Sequence, residues 1–224
     1  MDTLLLHVCC GPCSTVPLSL LLTREVPFAA YFSNSNIDSK DEYELRLRTF
    51  SAYAEKLGVK VLTSDYEPDT WEEAIGSNAG VFPLVFGSQD YAENRKRREQ
   101  RCRCCYAYRF EQLAKTAKQE GYNSISTTLS ISPYQFTDVI EAVLAEAALS
   151  GGISARFEDY CAYYSQSVQM AREQGMYRQN YCGCRYSARE AELEREAKKS
   201  AKSAKPAKPA GENRDRGATE ATNG

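Results

Sequence analysis

The chain has 224 residues, a formal net charge of −2 and 26% charged side chains, which is enough for one well-buried domain plus a tail. So even a balance excludes a basic field over the whole surface of the kind that attracts nucleic acid. The nine cysteines are clustered, with long cysteine-free stretches between them, which excludes the short, uniformly cysteine-dense scaffolds of secreted proteins.

The start, Met1-Asp2-Thr3-Leu4-Leu5-Leu6-His7, has an acid where an export signal carries basic residues, and its apolar run is too short to span a membrane. A reducing cytoplasm, with no membrane partner, is the expected location. Residues 3–8 form a continuous apolar run ending in Cys9-Cys10-Gly11-Pro12-Cys13, the pattern of a buried parallel strand. Ser14 is a candidate N-cap, and residues 16–22 read as a helix covering that strand. A second strand is expected at 26–32, closed by Ser33-Asn34-Ser35-Asn36. Asp38 or Ser39 caps the next helix, in which Tyr43, Leu47, Phe50, Tyr53 and Leu57 recur at helical spacing. Gly58 ends it, and 59–62 gives a third strand.

Residues 65–103 read as irregular and hold the single tryptophan, Trp71. A helix follows over 105–120, with Tyr108, Leu113 and Ala117 inward and Gly121 as its stop. Residues 124–129 form a fourth strand. Pro133 opens a helix through Val139, Ile140, Val143, Leu144 and Ala147 that ends at Gly151-Gly152. A fifth strand is expected at 153–157 and a helix at 162–173. Beyond Leu193 the Lys/Ala/Glu/Pro-rich sequence has no apolar face. The expected organisation is therefore a catalytic domain over 1–187 and a tail over 188–224, a short helix fraying into disorder. Alternating strands and helices imply a single-domain α/β fold, a parallel sheet with flanking helices. In such sheets the loops leaving the strands' C-terminal ends build the site, and Cys9 to Cys13 leaves the first strand there.

Seven cysteines fall into three groups: Cys9, Cys10 and Cys13; Cys102 and Cys105; Cys182 and Cys184. Cys104 lies inside the middle group and Cys161 stands alone. Thiolates suit soft metals and iron–sulfur clusters, and adjacent cysteines serve a small disulfide framework poorly. A structural zinc site would take Cys102-x-x-Cys105 with either Cys10-x-x-Cys13 or Cys182-x-Cys184, leaving three thiols without a task. A four-cysteine cluster beside a three-thiolate metal uses all seven. No phosphate-binding glycine motif follows the first strand. His7, the sole histidine, reads as structural in preference to a ligand. Arg95-Lys96-Arg97-Arg98-Glu99-Gln100-Arg101-Cys102-Arg103 sets six basic residues against the middle group, either a solvated helix face or a polyanion contact.

Several stretches resemble the QueH-type epoxyqueuosine reductases of tRNA modification. They are His7-Val8-Cys9-Cys10-Gly11-Pro12-Cys13; Tyr31-Phe32-Ser33-Asn34-Ser35-Asn36-Ile37 with Glu42-Tyr43 and Arg46; and Arg101-Cys102 with Cys105-Tyr106 and Arg109. Thr127-Thr128-Leu129-Ser130-Ile131-Ser132-Pro133-Tyr134-Gln135 and Gly175-Met176-Tyr177-Arg178-Gln179-Asn180-Tyr181-Cys182-Gly183-Cys184 complete the set, in order from Leu4 to about Ser187.

The resemblance implies an adenine-nucleotide α-hydrolase-like, Rossmann-related fold. It implies a cobalamin-independent oxidoreductase that reduces epoxyqueuosine to queuosine at the tRNA wobble position, the epoxide oxygen leaving as water. It further implies a 4Fe-4S cluster with a mononuclear iron beside it. Cys9, Cys10, Cys102, Cys105, Cys182 and Cys184 are then the expected cofactor ligands, and Cys13 and Asp159 join them as metal ligands. Asp159, Tyr134 and His7 are the candidates to move a proton, with no basis for ranking them. No flavin or nicotinamide motif is visible, so a separate electron-donor protein is expected, with tRNA as the other partner. Gly11 stands where alanine is more usual, Cys161 where arginine tends to be, and residues 75–100 are longer and more basic than in the family. Two alternatives stay open: a cluster-containing tRNA thiolation enzyme, whose Ser-Gly-Gly-x-Asp-Ser loop would have to occupy the place of Cys9 to Ser14, and a zinc-stabilised RNA-binding module.

Overall fold

A computed structural model describes residues 3–203. Five parallel strands, β1 (Leu4–His7), β2 (Phe28–Phe32), β3 (Val61–Thr63), β4 (Ser124–Thr127) and β5 (Ser154–Ala155), form one sheet in the order β3-β2-β1-β4-β5. Seven helices flank it: α1 (Gly11–Thr23), α2 (Lys40–Lys56), α3 (Pro68–Ile75), α4 (Tyr91–Gln119), α5 (Thr137–Gly151), α6 (Tyr164–Glu173) and α7 (Arg185–Ser203). Every residue of β1 is buried, because alternate side chains enter two different cores. Leu5 joins Ala29, Tyr31 and Ile125 against Phe110 and Leu113 of α4 and Ile140 and Leu144 of α5. Leu4 and Leu6 join Ala30 and Phe32 against Leu18 and Leu21 of α1 and Phe50 and Tyr53 of α2. Each such leucine or phenylalanine contributes about 1.5–3 kcal/mol when fully buried.

The strand order reverses at β1, with β2 on one side and β4 on the other. The C-terminal ends of β1 and β4 flank the crevice where sheets of this kind place their sites. Cys9 enters it: its backbone N–H donates to Thr128 Oγ1 at 3.4 Å. Among the described residues, no helix is long and apolar enough to cross a membrane.

Most expected elements are present, with corrected ends. Helix α1 begins at Gly11, so Ser14 is not its cap; the Ser14 hydroxyl lies in the first turn and donates to Gly11 O at 2.7 Å. Pro12 fits that turn because its fixed φ and missing N–H cost nothing there. Ser39 does cap α2, accepting from Glu42 N at 3.2 Å. Pro133 precedes α5 by a turn instead of opening it, and the fifth strand shrinks to two residues.

The largest correction concerns 65–103, expected to be irregular. It holds α3 and the first half of α4. That half carries basic residues where a stripe of apolar ones would have marked a helix, and ion pairs hold it: Arg98 and Arg101 both reach Glu190 of α7. Likewise, the expected boundary after Ser187 falls inside α7, which runs to Ser203 with Glu190 fully buried. Residues 204–224, most of the expected tail, lie outside the described residues, as do Met1 and Asp2.

Candidate metal centre

Cys9 extends from β1, Cys10 sits in extended backbone at the N-cap of α1 (φ −172), and Cys13 follows in its first turn. The strand-to-helix turn therefore brings three thiols together, their sulfurs all within 4.8 Å of one another. Gly11 allows a close approach here, since a Cβ would lie 3.1 Å from Thr49 Cγ2 and 3.4 Å from Met176 Sδ. Cys10 is the acceptor of the group. Hydrogen bonds from Cys13 and Cys9, and from Gln179 Nε2 at 2.9 Å, hold its thiol well below the usual range. Donating to Cys10 pushes Cys9 up to about 11 and Cys13 well above its ordinary value, and burial adds to both. Within the trio, Cys10 is thus the thiol that ionises most readily.

The other four thiols surround a second cavity. Cys102 and Cys105 share a face of α4 at i, i+3, and Cys182 and Cys184 approach from the turn before α7. That turn needs a glycine: Gly183 has φ +148, and a Cβ would sit 3.1 Å from both Arg46 Nη1 and Asn36 Nδ2. Burial raises Cys102, Cys105 and Cys184, the last to about 11, and neighbouring thiols raise each further. All nine cysteines are free thiols. Buried thiols that oppose one another's ionisation form a donor set that a cation would neutralise. A single tetrahedral zinc with bonds of ~2.3 Å holds its sulfurs about 3.8 Å apart. Among the described residues, no three sulfurs of this quartet gather within 4.8 Å of one another as those of the trio do.

Buried arginines link the two sets. Arg46, 1% exposed, donates through Nη1 to Cys182 O at 2.9 Å and pairs with Glu42 at 2.7 Å. Burial works against its charge, but the Cys10 thiolate and Glu42 outweigh it. Arg109, equally buried, donates to Asn34 Oδ1, and its charge lowers both Cys9 of the trio and Cys105 of the quartet. Around them Arg46 Nη2, Arg109 Nε, Asn36 Oδ1, Gln179 Oε1 and Glu72 Oε2 are buried without hydrogen-bond partners, while the Trp71 side chain is turned toward the Cys105 sulfur and lowers that thiol's pKa against the rise from burial. Each such atom costs about 1–3 kcal/mol if left unpaired, so this mixed set of donors and acceptors beside the thiols suits a polar occupant.

Sequence reasoning gave none of these residues a role. Arg46 had left a trace: it sits between Tyr43 and Phe50 on the inward stripe of its helix, where a charge is out of place unless it is paired.

The three proton candidates fall in different settings. His7 is fully buried, with Nδ1 3.0 Å from Thr127 Oγ1 and Nε2 3.4 Å from Ser33 O. Burial, then the Arg109 charge, lowers it to about 3, so the ring is neutral. Asp159 is exposed, outside the trio's ligand set, and its Oδ1 accepts from Cys161 N at 2.8 Å. Tyr134 lines the quartet's cavity beside Gln135, whose Oε1 accepts from Tyr106 Oη at 2.7 Å. The basic run divides as well. Arg98 and Arg101 are committed to Glu190 and Arg103 to Glu146, whereas Arg95, Lys96 and Arg97 are exposed.

Residues 4–190 match the family described as Epoxyqueuosine reductase QueH. The chain is 31% identical over 196 residues to the epoxyqueuosine reductase QueH of Streptococcus pyogenes serotype M1, covering 84% of this chain and 71% of that one. To the protein of the same name from Thermotoga maritima it is 30% identical over 189 residues, covering 84% and 91%. Among solved structures it is similar to a predicted subunit of tRNA methyltransferase from Methanocaldococcus jannaschii (12% identity, TM-score 0.48, covering 77% and 75%). It is also similar to the U34-tRNA thiolase NcsA from Methanococcus maripaludis with its 4Fe-4S cluster (11%, 0.47, covering 89% and 66%).

Proposed function

The chain belongs to the epoxyqueuosine reductase QueH family, and on that premise we propose that it reduces epoxyqueuosine to queuosine at the wobble position of tRNA. The observation that carries this reading is the division of seven thiols into a close trio and an open quartet joined by two buried arginines. In this reading Cys102, Cys105, Cys182 and Cys184 hold a 4Fe-4S cluster. Cys9, Cys10 and Cys13 would hold an adjacent iron. When bound, the cluster supplies single electrons and the iron supplies Lewis acidity toward the oxygen.

The reaction adds two electrons and two protons: both C–O bonds of the epoxide break, a carbon–carbon double bond forms, and the oxygen leaves as water. The protein's own groups prepare it. Arg46 and Arg109 offset the negative charge of the thiolates, and the Gln179 amide fixes Cys10. Of the three proton candidates, the Tyr134 hydroxyl is the one at the cavity and donates toward the departing oxygen, while neutral His7 braces the end of β1. A separate redox protein delivers the electrons. Exposed Arg95, Lys96 and Arg97 engage phosphates of the tRNA without reading its sequence. The working location is the cytoplasm, where thiols stay reduced.

Anaerobic incubation with epoxyqueuosine-containing tRNA and a strong reductant, followed by mass spectrometry of the nucleosides, tests the reading. The expected result is queuosine, from protein holding iron and acid-labile sulfide. No queuosine, with about one zinc per chain and no sulfide, would replace it with the zinc-stabilised RNA-binding module.

A further inference from the structure

Tyr134 is 72% exposed, yet it lines the cavity of the quartet. Core packing does not explain a large, exposed aromatic ring at the mouth of this cavity. Its position is fixed from behind. Pro133 restricts the preceding backbone, Gln135 N donates to Ser132 O at 3.1 Å, and the Gln135 side chain is tied to Tyr106. The Tyr134 ring stands edge-to-face with Tyr164, with centroids 6.1 Å apart and planes at 84°.

Tyr164 opens α6 on the trio's side. One turn on, Ser167 Oγ donates to Pro12 O at 2.5 Å, between Cys10 and Cys13, and pairs with Thr15 Oγ1 at 3.0 Å. The two rings therefore stand together at the mouth of the quartet's cavity, on the side where α6 packs against the first turn of α1.

We propose that Tyr134 and Tyr164 form a nucleobase-stacking subsite that grips the heterocyclic base of the wobble nucleoside. This rests on the tRNA reading above and adds what holds the substrate. The base occupies the aromatic notch, which leaves its epoxide-bearing substituent free to enter the quartet's cavity. Aromatic faces suit this task because stacking tolerates any base while fixing its plane.

The test is fluorescence anisotropy of an anticodon stem-loop RNA carrying epoxyqueuosine, and of the same RNA abasic at the wobble position, against metal-loaded full-length protein. Tyr134→Ala and Tyr164→Ala should each weaken binding of the modified RNA by about 5- to 150-fold. Tyr134→Phe and Tyr164→Phe should hold it within about twofold, because the ring remains. On the abasic RNA all forms should bind alike. Alanine variants that bind the modified RNA as tightly as the unaltered protein would overturn the subsite. So would an equal loss on the abasic RNA, or a loss of iron in Tyr134→Ala, which would make the ring structural. Turnover by the unaltered protein is read in parallel, so failure of the reduction registers separately from failure of the stacking.

Discussion

Arg101 and Glu190 form a buried bidentate pair, with Nη1–Oε1 at 2.6 Å and Nη2–Oε2 at 3.0 Å, that ties α4 to α7 beside Cys102 and Cys184. The same carboxylate accepts from Phe82 N at 2.8 Å and lies 3.3 Å from Arg98 Nε. One side chain thereby fixes the approach of two cysteine-bearing elements. Removing a single partner from a buried pair strands the other charge, at a cost of about 3–5 kcal/mol.

Glu190→Ala should therefore lower stability by about that amount and reduce iron content. A chain ending at Ser187 should do the same, because it lacks Glu190 and Glu194. Urea unfolding and iron analysis check both; an unchanged midpoint with full iron in the shortened chain would show that α7 contributes nothing to the centre.

Each cysteine set has its own expected signature. Cys182→Ala and Cys184→Ala should each abolish the visible absorbance and acid-labile sulfide of anaerobically purified protein. Cys13→Ala should keep the sulfide and lose part of the iron, since it belongs to the trio. Cys161→Ala and Cys104→Ala should keep both, as neither residue is part of the trio or the quartet.

Gly183→Ala places a Cβ 3.1 Å from two buried nitrogens at φ +148, a strain of about 1–3 kcal/mol. The turn should shift and carry Cys182 and Cys184 with it, so iron binding should fall more than global stability. Metal analysis set beside a thermal melt separates the two; equal losses in both would refute a local effect.

Arg95, Lys96 and Arg97 are exposed on the first half of α4; Arg97 lies over the Phe82 ring at 4.4 Å and Arg95 over Phe136 at 5.7 Å, contacts small enough that the three should act chiefly on tRNA. Replacing all three with alanine should raise KM for tRNA at nearly constant kcat. The slope of binding against salt should fall by about one per lost phosphate contact. Arg98→Ala should instead destabilise the fold, because Arg98 pairs with Glu194 at 2.7 Å in a largely buried setting. An unchanged KM and salt slope in the triple variant would leave these residues as a solvated face.

The sheet was legible because its determinants are local. Short apolar runs at Leu4–His7 and Phe28–Phe32, bounded by turn residues, read as strands buried on both faces, and the cysteine turn after the first then lies at the sheet's C-terminal edge. The seven thiols could be named from their spacing and from the resemblance. Their sorting into trio and quartet could not, because it depends on where α4 and α7 lie in space.

The N-terminal half of α4 and the length of α7 went unread for a related reason. Hydrophobic periodicity reports only what apolar burial stabilises, and these segments are held by charge. Arg101 meets Glu190 across 89 positions of sequence, and Arg46 reaches the Cys182 carbonyl across 136. Away from an apolar stripe such as the one that holds Arg46, a buried arginine and an exposed one look alike in the chain. The partner that makes burial tolerable is brought up only by the fold, so the sequence by itself determined which atoms can bind metal, and the tertiary structure decided which charges surround them.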